Sequence, residues 1–135
     1  MEKKKILVVD DEPDMRIFIS TVVETEGYEP LTAENGQQAL KLAQAESPAL
    51  VILDVMMPKI DDGIQTYQNF RTDEALKRIP IIMLSAVARK TFFHTIRMLN
   101  PQQDRSPAQP EAYMEKPPDA DELIRLIDEI LSAEE

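Results

Sequence analysis

The sequence predicts an α/β fold: a doubly wound, five-stranded parallel sheet with helices on both faces. Three observations carry this. Apolar runs of strand length recur along the chain, they do not alternate with polar residues, and segments of helical period separate them. Continuous apolar runs belong to strands covered on both faces by helices. Right-handed crossovers turn a repeated strand and helix order into an open parallel sheet.

The first strand is Ile6 to Val9. Pro13, favoured in the first turn of a helix, precedes a stripe of Met15, Phe18, Ile19, Val22 and Val23 that stops at Gly27, a residue suited to a C-terminal cap. The least regular strand spans Glu29 to Ala33. Asn35-Gly36 opens a second helix with Ala39, Leu40 and Ala43 on one face, and Pro48 ends it. Leu50 to Leu53 is the next strand, followed by a third helix after Gly63 marked by Ile64, Tyr67 and Phe70. Ile81 to Leu84 is a fourth strand. Phe92 or Phe93 with Ile96 and Leu99 marks a fourth helical stripe, Ala112 to Met114 a fifth strand, and Leu123, Ile124, Ile127, Ile130 and Leu131 a last helix. Asp119 and Glu122 resemble a capping box at its start. The stretch from Asn100 to Pro110 breaks the rhythm with three prolines and no apolar period, which predicts a long loop.

With 135 residues the chain is expected to form a single domain, 1–135, with 100–111 as an inserted loop. It can bury enough surface to need no disulfide or structural metal. Against 15 Lys and Arg stand 25 Asp and Glu, a net charge of -10. That field repels phosphate backbones and anionic lipid, so no direct nucleic-acid binding is expected. The absence of cysteine excludes thiolate metal sites and cysteine nucleophiles. The longest apolar run, Ala49 to Leu53, falls far short of the about 20 residues of a membrane span. A cytoplasmic protein without membrane insertion is the expectation.

Ligands of open parallel sheets sit beyond the carboxyl ends of the strands. Here those ends are followed by Asp10-Asp11-Glu12, by Asp54, by Ser85 and by Glu115-Lys116-Pro117. Singly, each has an ordinary reading: Asp10, Asp11 and Ser85 as helix caps, Asp54 as a strand-end polar residue, Lys116 as a solvated cation. Together they are harder to dismiss. Two like charges 4 Å apart repel by about 4 kcal/mol at an effective dielectric near 20, so Asp10, Asp11 and Asp54 gathered at one edge call for a cation. Oxygen-only ligands suit Mg2+. Such a site could accept a phosphoryl group, with Asp54 attacking phosphorus, Ser85 donating to a phosphoryl oxygen and Lys116 neutralising charge.

With KILVVDDEP at Lys5 to Pro13, LVILDVMMP at Leu50 to Pro58, IIMLSA at Ile81 to Ala86 and YMEKP at Tyr113 to Pro117, the chain resembles the receiver domain of two-component response regulators. The resemblance implies the flavodoxin-like strand order 2-1-3-4-5 and Asp54 as phosphoacceptor. It implies Mg2+ held by Asp10, Asp11, Asp54 and the backbone carbonyl of Met56, with Ser85 and Lys116 on the phosphoryl group. Tyr113 matches an aromatic switch residue that turns inward when Ser85 moves, and Lys116-Pro117 matches a cis peptide. The implied partners are a histidine kinase or phosphotransfer protein and an unspecified downstream protein.

Departures from the family pattern cluster in two places. The link Lys59 to Gly63 looks one residue longer than in the family, and the segment from Arg89 to Glu111 replaces a short glycine-containing turn near the face through which receivers commonly meet partners. Phe92, Phe93, His94 and Met98 lie there, read as a core stripe or as a partner patch. Met56 and Val87, both apolar, occupy positions that flank the path of attacking water in receivers, which predicts slow hydrolysis of an aspartyl phosphate. An Asp-nucleophile phosphatase would want an acid two residues after Asp54, where Met56 stands. A dinucleotide binder would want a glycine-rich loop where Asp10-Asp11-Glu12 stands. A receiver-like module that binds partners without phosphorylation is the remaining alternative.

Overall fold

A computed structural model describes residues 3–56, 60–86 and 110–133, with the side chains of 60 and 61 excepted. Five parallel strands, β1 (Lys5–Val9), β2 (Glu29–Ala33), β3 (Leu50–Asp54), β4 (Ile81–Ser85) and β5 (Ala112–Glu115), form one sheet in the order β2-β1-β3-β4-β5. Four helices are described: α1 (Pro13–Thr25), α2 (Gly36–Glu46), α3 (Ile60–Thr72) and α4 (Ala120–Ala133). The predicted stripe around Phe92 to Leu99, with His94, Met98 and Val87, lies outside the described residues. So does the loop 100–111, apart from its last two residues.

Two apolar layers sandwich the sheet, and the period of two along each strand assigns residues to them. Leu7, Val9, Val51, Leu53, Ile81 and Met83 pack with Ala39 and Ala43 of α2 and with Ile64, Tyr67 and Phe70 of α3. On the other face, Ile6, Val8, Leu50, Ile52, Ile82 and Leu84 pack with Ile19, Val22 and Val23 of α1 and Leu123, Ile127 and Leu131 of α4. Every residue of β3 and β4 is buried, as unalternating runs require.

The helix ends follow from local chemistry. Pro13 opens α1, and Gly27 at φ +93 closes it, with the Tyr28 N–H bonding the Val23 carbonyl at 3.0 Å. Asn35 caps α2 by accepting from the Gln38 amide at 2.9 Å, and Ser47 ends it in a left-handed conformation. Asp119 Oδ1 accepts from the amides of Asp121 and Glu122 at 2.8 and 3.2 Å, the cap expected for α4.

Two expectations need correction. Phe18 is 40% exposed and does not join the α1 core stripe; Ile19 and Val22 carry that face. The third helix begins at Ile60, so Gly63 lies inside it. A Cβ there would stand 1.8 Å from the Val55 carbonyl oxygen, so α3 can press on the end of β3 only because residue 63 has no side chain.

Candidate functional site

The chain turns from one side of β1 to the other between β2 and β3, which creates a crevice at the carboxyl ends of β1 and β3. Val9 pairs with Leu53. The next residue on each strand is an aspartate, and both are buried although carboxylates rarely are. Asp11 and Glu12 continue from Asp10 on the solvent side. One carboxylate oxygen from each of Asp10, Asp11, Glu12 and Asp54 lies within 4.8 Å of all the others. Asp10, Asp11 and Asp54 therefore converge as the sequence predicts.

Lys116, just beyond β5, reaches into this cluster. Its ammonium donates to Asp10 Oδ2 at 3.1 Å and to Glu12 Oε1 at 3.2 Å, and it stands 3.4 Å from Asp54 Oδ2. The Lys116 amide bonds the Ser85 carbonyl at 2.8 Å, and the Lys116-Pro117 peptide is cis, as the resemblance implies. Burial alone would lower the Lys116 pKa, but the charges of Asp54 and Asp10 raise it overall.

The two oxygens of Asp54 are held differently, one by a backbone hydrogen bond and the other only by its ion pair with Lys116. Oδ1 accepts the Met56 amide at 3.1 Å, whereas buried Oδ2 has no hydrogen-bond partner. Burial first, then the charge of Asp10, pushes the Asp54 pKa from 3.8 up to about 7, against the opposing pull of Lys116 and the Met56 amide. Four crowded carboxylates facing one lysine, with an orphaned buried oxygen among them, fit a divalent cation with oxygen ligands, and Mg2+ suits that donor set.

Ser85, fully buried, ends β4 beside Asp54. Tyr113 on β5 is half-buried against the α2 and α3 layer. Burial raises its pKa, while a hydrogen bond with the Ser85 side chain acts the other way. The two residues matched to a switch are thus in contact.

A family model, the response regulator receiver domain, matches residues 6–128. The chain belongs to that family. As a receiver, it is 49% identical over 87 residues to a probable transcriptional regulator, ycf27, of Cyanophora paradoxa, covering 64% of this chain and 35% of that protein. It is 45% identical over 83 residues to the alkaline phosphatase synthesis transcriptional regulatory protein PhoP of Bacillus subtilis, covering 62% and 33%. The chain thus spans about a third of the length of these relatives. Among solved structures, the chemotaxis response regulator CheY4 of Vibrio cholerae superposes with a TM-score of 0.78 at 25% identity, covering 96% of this chain and 99% of that one. The receiver is a signalling domain of two-component systems, and its strand order is the one the resemblance implies.

Two contributors escape a reading by strand ends. Glu12 was visible in the acid run after β1, yet only the fold shows that it shares Lys116 with Asp10. Arg16 leaves no signal, because an arginine on a helix reads as a solvated charge. Here its side chain is 17% exposed and donates to the Asp10 carbonyl at 2.8 Å.

Proposed function

We propose that this receiver takes a phosphoryl group on Asp54 from a histidine kinase or phosphotransfer protein and, so modified, changes the surface it offers to a downstream protein. The observation that carries the reading is Asp54 Oδ2: buried, without a hydrogen-bond donor, and 3.4 Å from an ammonium group. Ionised, Oδ2 is the oxygen of Asp54 left to attack, since Oδ1 is engaged by the Met56 amide. As the Oδ2–P bond forms, the bond from phosphorus to the donor's nitrogen breaks, and Oδ1 stays held by the Met56 amide. Lys116 neutralises charge on the arriving phosphoryl oxygens, and Ser85 offers a hydroxyl from the adjacent strand end.

Asp10, Asp11 and Asp54, with the Met56 carbonyl, would hold Mg2+, and Glu12 lies close enough to join them. Bound there, the ion supplies positive charge that offsets the carboxylates and the phosphoryl oxygens. The receiver's own part in catalysis is confined to gaining and losing its phosphoryl group. The Tyr113 and Ser85 contact supports a switch in which a shift of Ser85 toward the phosphoryl group is passed to the aromatic ring on β5. A cytoplasmic location accords with a kinase as donor. Among the described residues no helix is long and apolar enough to cross a membrane.

Incubation with Mg2+ and a small acyl phosphate, followed by intact mass measurement, tests this reading. Wild type gains one phosphoryl group and Asp54→Asn does not. No gain in wild type would leave a module that works by binding alone.

A further inference from the structure

We infer that Arg16 is a positioning residue for the cation site, acting through the backbone of Asp10; this rests on the proposal that the acid cluster binds Mg2+. Asp10 must present its carboxylate at a fixed angle, and each of its polar groups is engaged. Its amide donates to the Ala33 carbonyl at 3.1 Å, Oδ1 accepts from the Glu12 amide at 2.9 Å, and Oδ2 accepts from Lys116. The remaining group is its carbonyl. Asp10 lies past the end of β1 and before the N-cap of α1, so neither the sheet ladder nor the helix supplies that carbonyl with a donor.

Arg16 supplies it. Its Nη1 donates to the Asp10 carbonyl at 2.8 Å while Nη2 lies 3.4 Å from Glu34 Oε1 in the segment after β2. One planar guanidinium thus ties the first turn of α1, the acid loop and the β2 exit together. Because the carbonyl it holds belongs to the peptide joining Asp10 to Asp11, the contact fixes the rotation that aims both carboxylates into the cluster. Groups that orient metal ligands typically change metal affinity by about 10- to 100-fold when removed.

A charge argument predicts the opposite sign. Arg16 is a cation near the acids, so deleting it should, on electrostatics alone, tighten Mg2+ binding. The experiment is calorimetric titration of the metal-free chain with MgCl2 for wild type, Arg16→Met and Arg16→Lys, with thermal unfolding of each metal-free protein. Arg16→Met keeps the apolar stem and removes both charge and donors. Positioning predicts binding at least about 10-fold weaker for Arg16→Met, and a smaller loss for Arg16→Lys, which keeps one donor. Equal or tighter binding by Arg16→Met, with or without a lower Tm, overturns the proposal. If Arg16→Met does not fold, Arg16→Lys decides: binding several-fold weaker than wild type supports positioning, and unchanged binding refutes it. A wild type that takes up no Mg2+ overturns the cation-site reading itself and this inference with it.

Discussion

Burying Asp54 beside Asp10 makes the ionisation of one carboxyl a cost to the folded state. Its folded pKa of about 7 stands above the ordinary 3.8, so between those values the native chain holds a proton that the unfolded chain has released. The stability tied to this proton is full below pH 4 and is lost as pH rises through 7. In metal-free buffer, Asp54→Asn removes the penalty. The variant should match wild type near pH 4 and exceed it above pH 7 by on the order of 1–3 kcal/mol, read from urea unfolding at each pH. Met56 acts at the same scale. Its amide holds Asp54, and its apolar side chain, two residues on from Asp54, is 41% exposed. Replacing it with Asn gives water a hydrogen-bonding foothold, so the phosphorylated Met56→Asn protein should lose its phosphoryl group several-fold faster. An unchanged lifetime would count against the shielding role.

At the scale of elements, close approach decides where the site can be. α3 lies so near β3 that Gly63→Ala would drive a methyl group into the Val55 carbonyl, one residue after Asp54, the proposed phosphoacceptor. Overpacking of that kind costs about 1–3 kcal/mol. Relief requires either α3 or the end of β3 to move, so the substitution should lower the Tm and also slow phosphorylation from a small donor. Most elements were legible in the sequence because their cause is local: unalternating runs for β1, β3 and β4, Pro13, Gly27, Asn35 and Asp119 at helix ends. Asp10, Asp11, Asp54, Ser85 and Lys116 were legible for the same reason, since each lies within two residues of the end of a run. What escaped is tertiary. Gly63 read as a helix opener because its neighbour is a carbonyl on another element. Phe18 read as core because a helical period cannot tell where the apolar face stops, and Arg16 drew no reading at all because its acceptor belongs to a loop.

Over the whole molecule, the acid excess divides into a surface majority and a small group held at one sheet edge by the fold. The opposite end of the sheet has its own tie. Arg71 on α3 stacks over Tyr67, donates to the carbonyls of Lys77 and Ile79 and pairs with Glu111 at 2.6 Å, while Glu111 accepts the Ile81 amide at 2.7 Å. Glu111 immediately precedes β5, and Lys116 immediately follows it. Shortening the proline-rich stretch between Asn100 and Pro110 should therefore leave phosphorylation by a small donor within about two-fold of wild type while changing affinity for protein partners; unchanged affinity for the same partners would show that the stretch does not shape the partner face. A strand anchored at both of its ends insulates what lies before it from what lies after. With β5 pinned by Glu111 before it and Lys116 after it, changes of length or sequence between β4 and β5 are expected to leave the ammonium group where it meets the acid cluster.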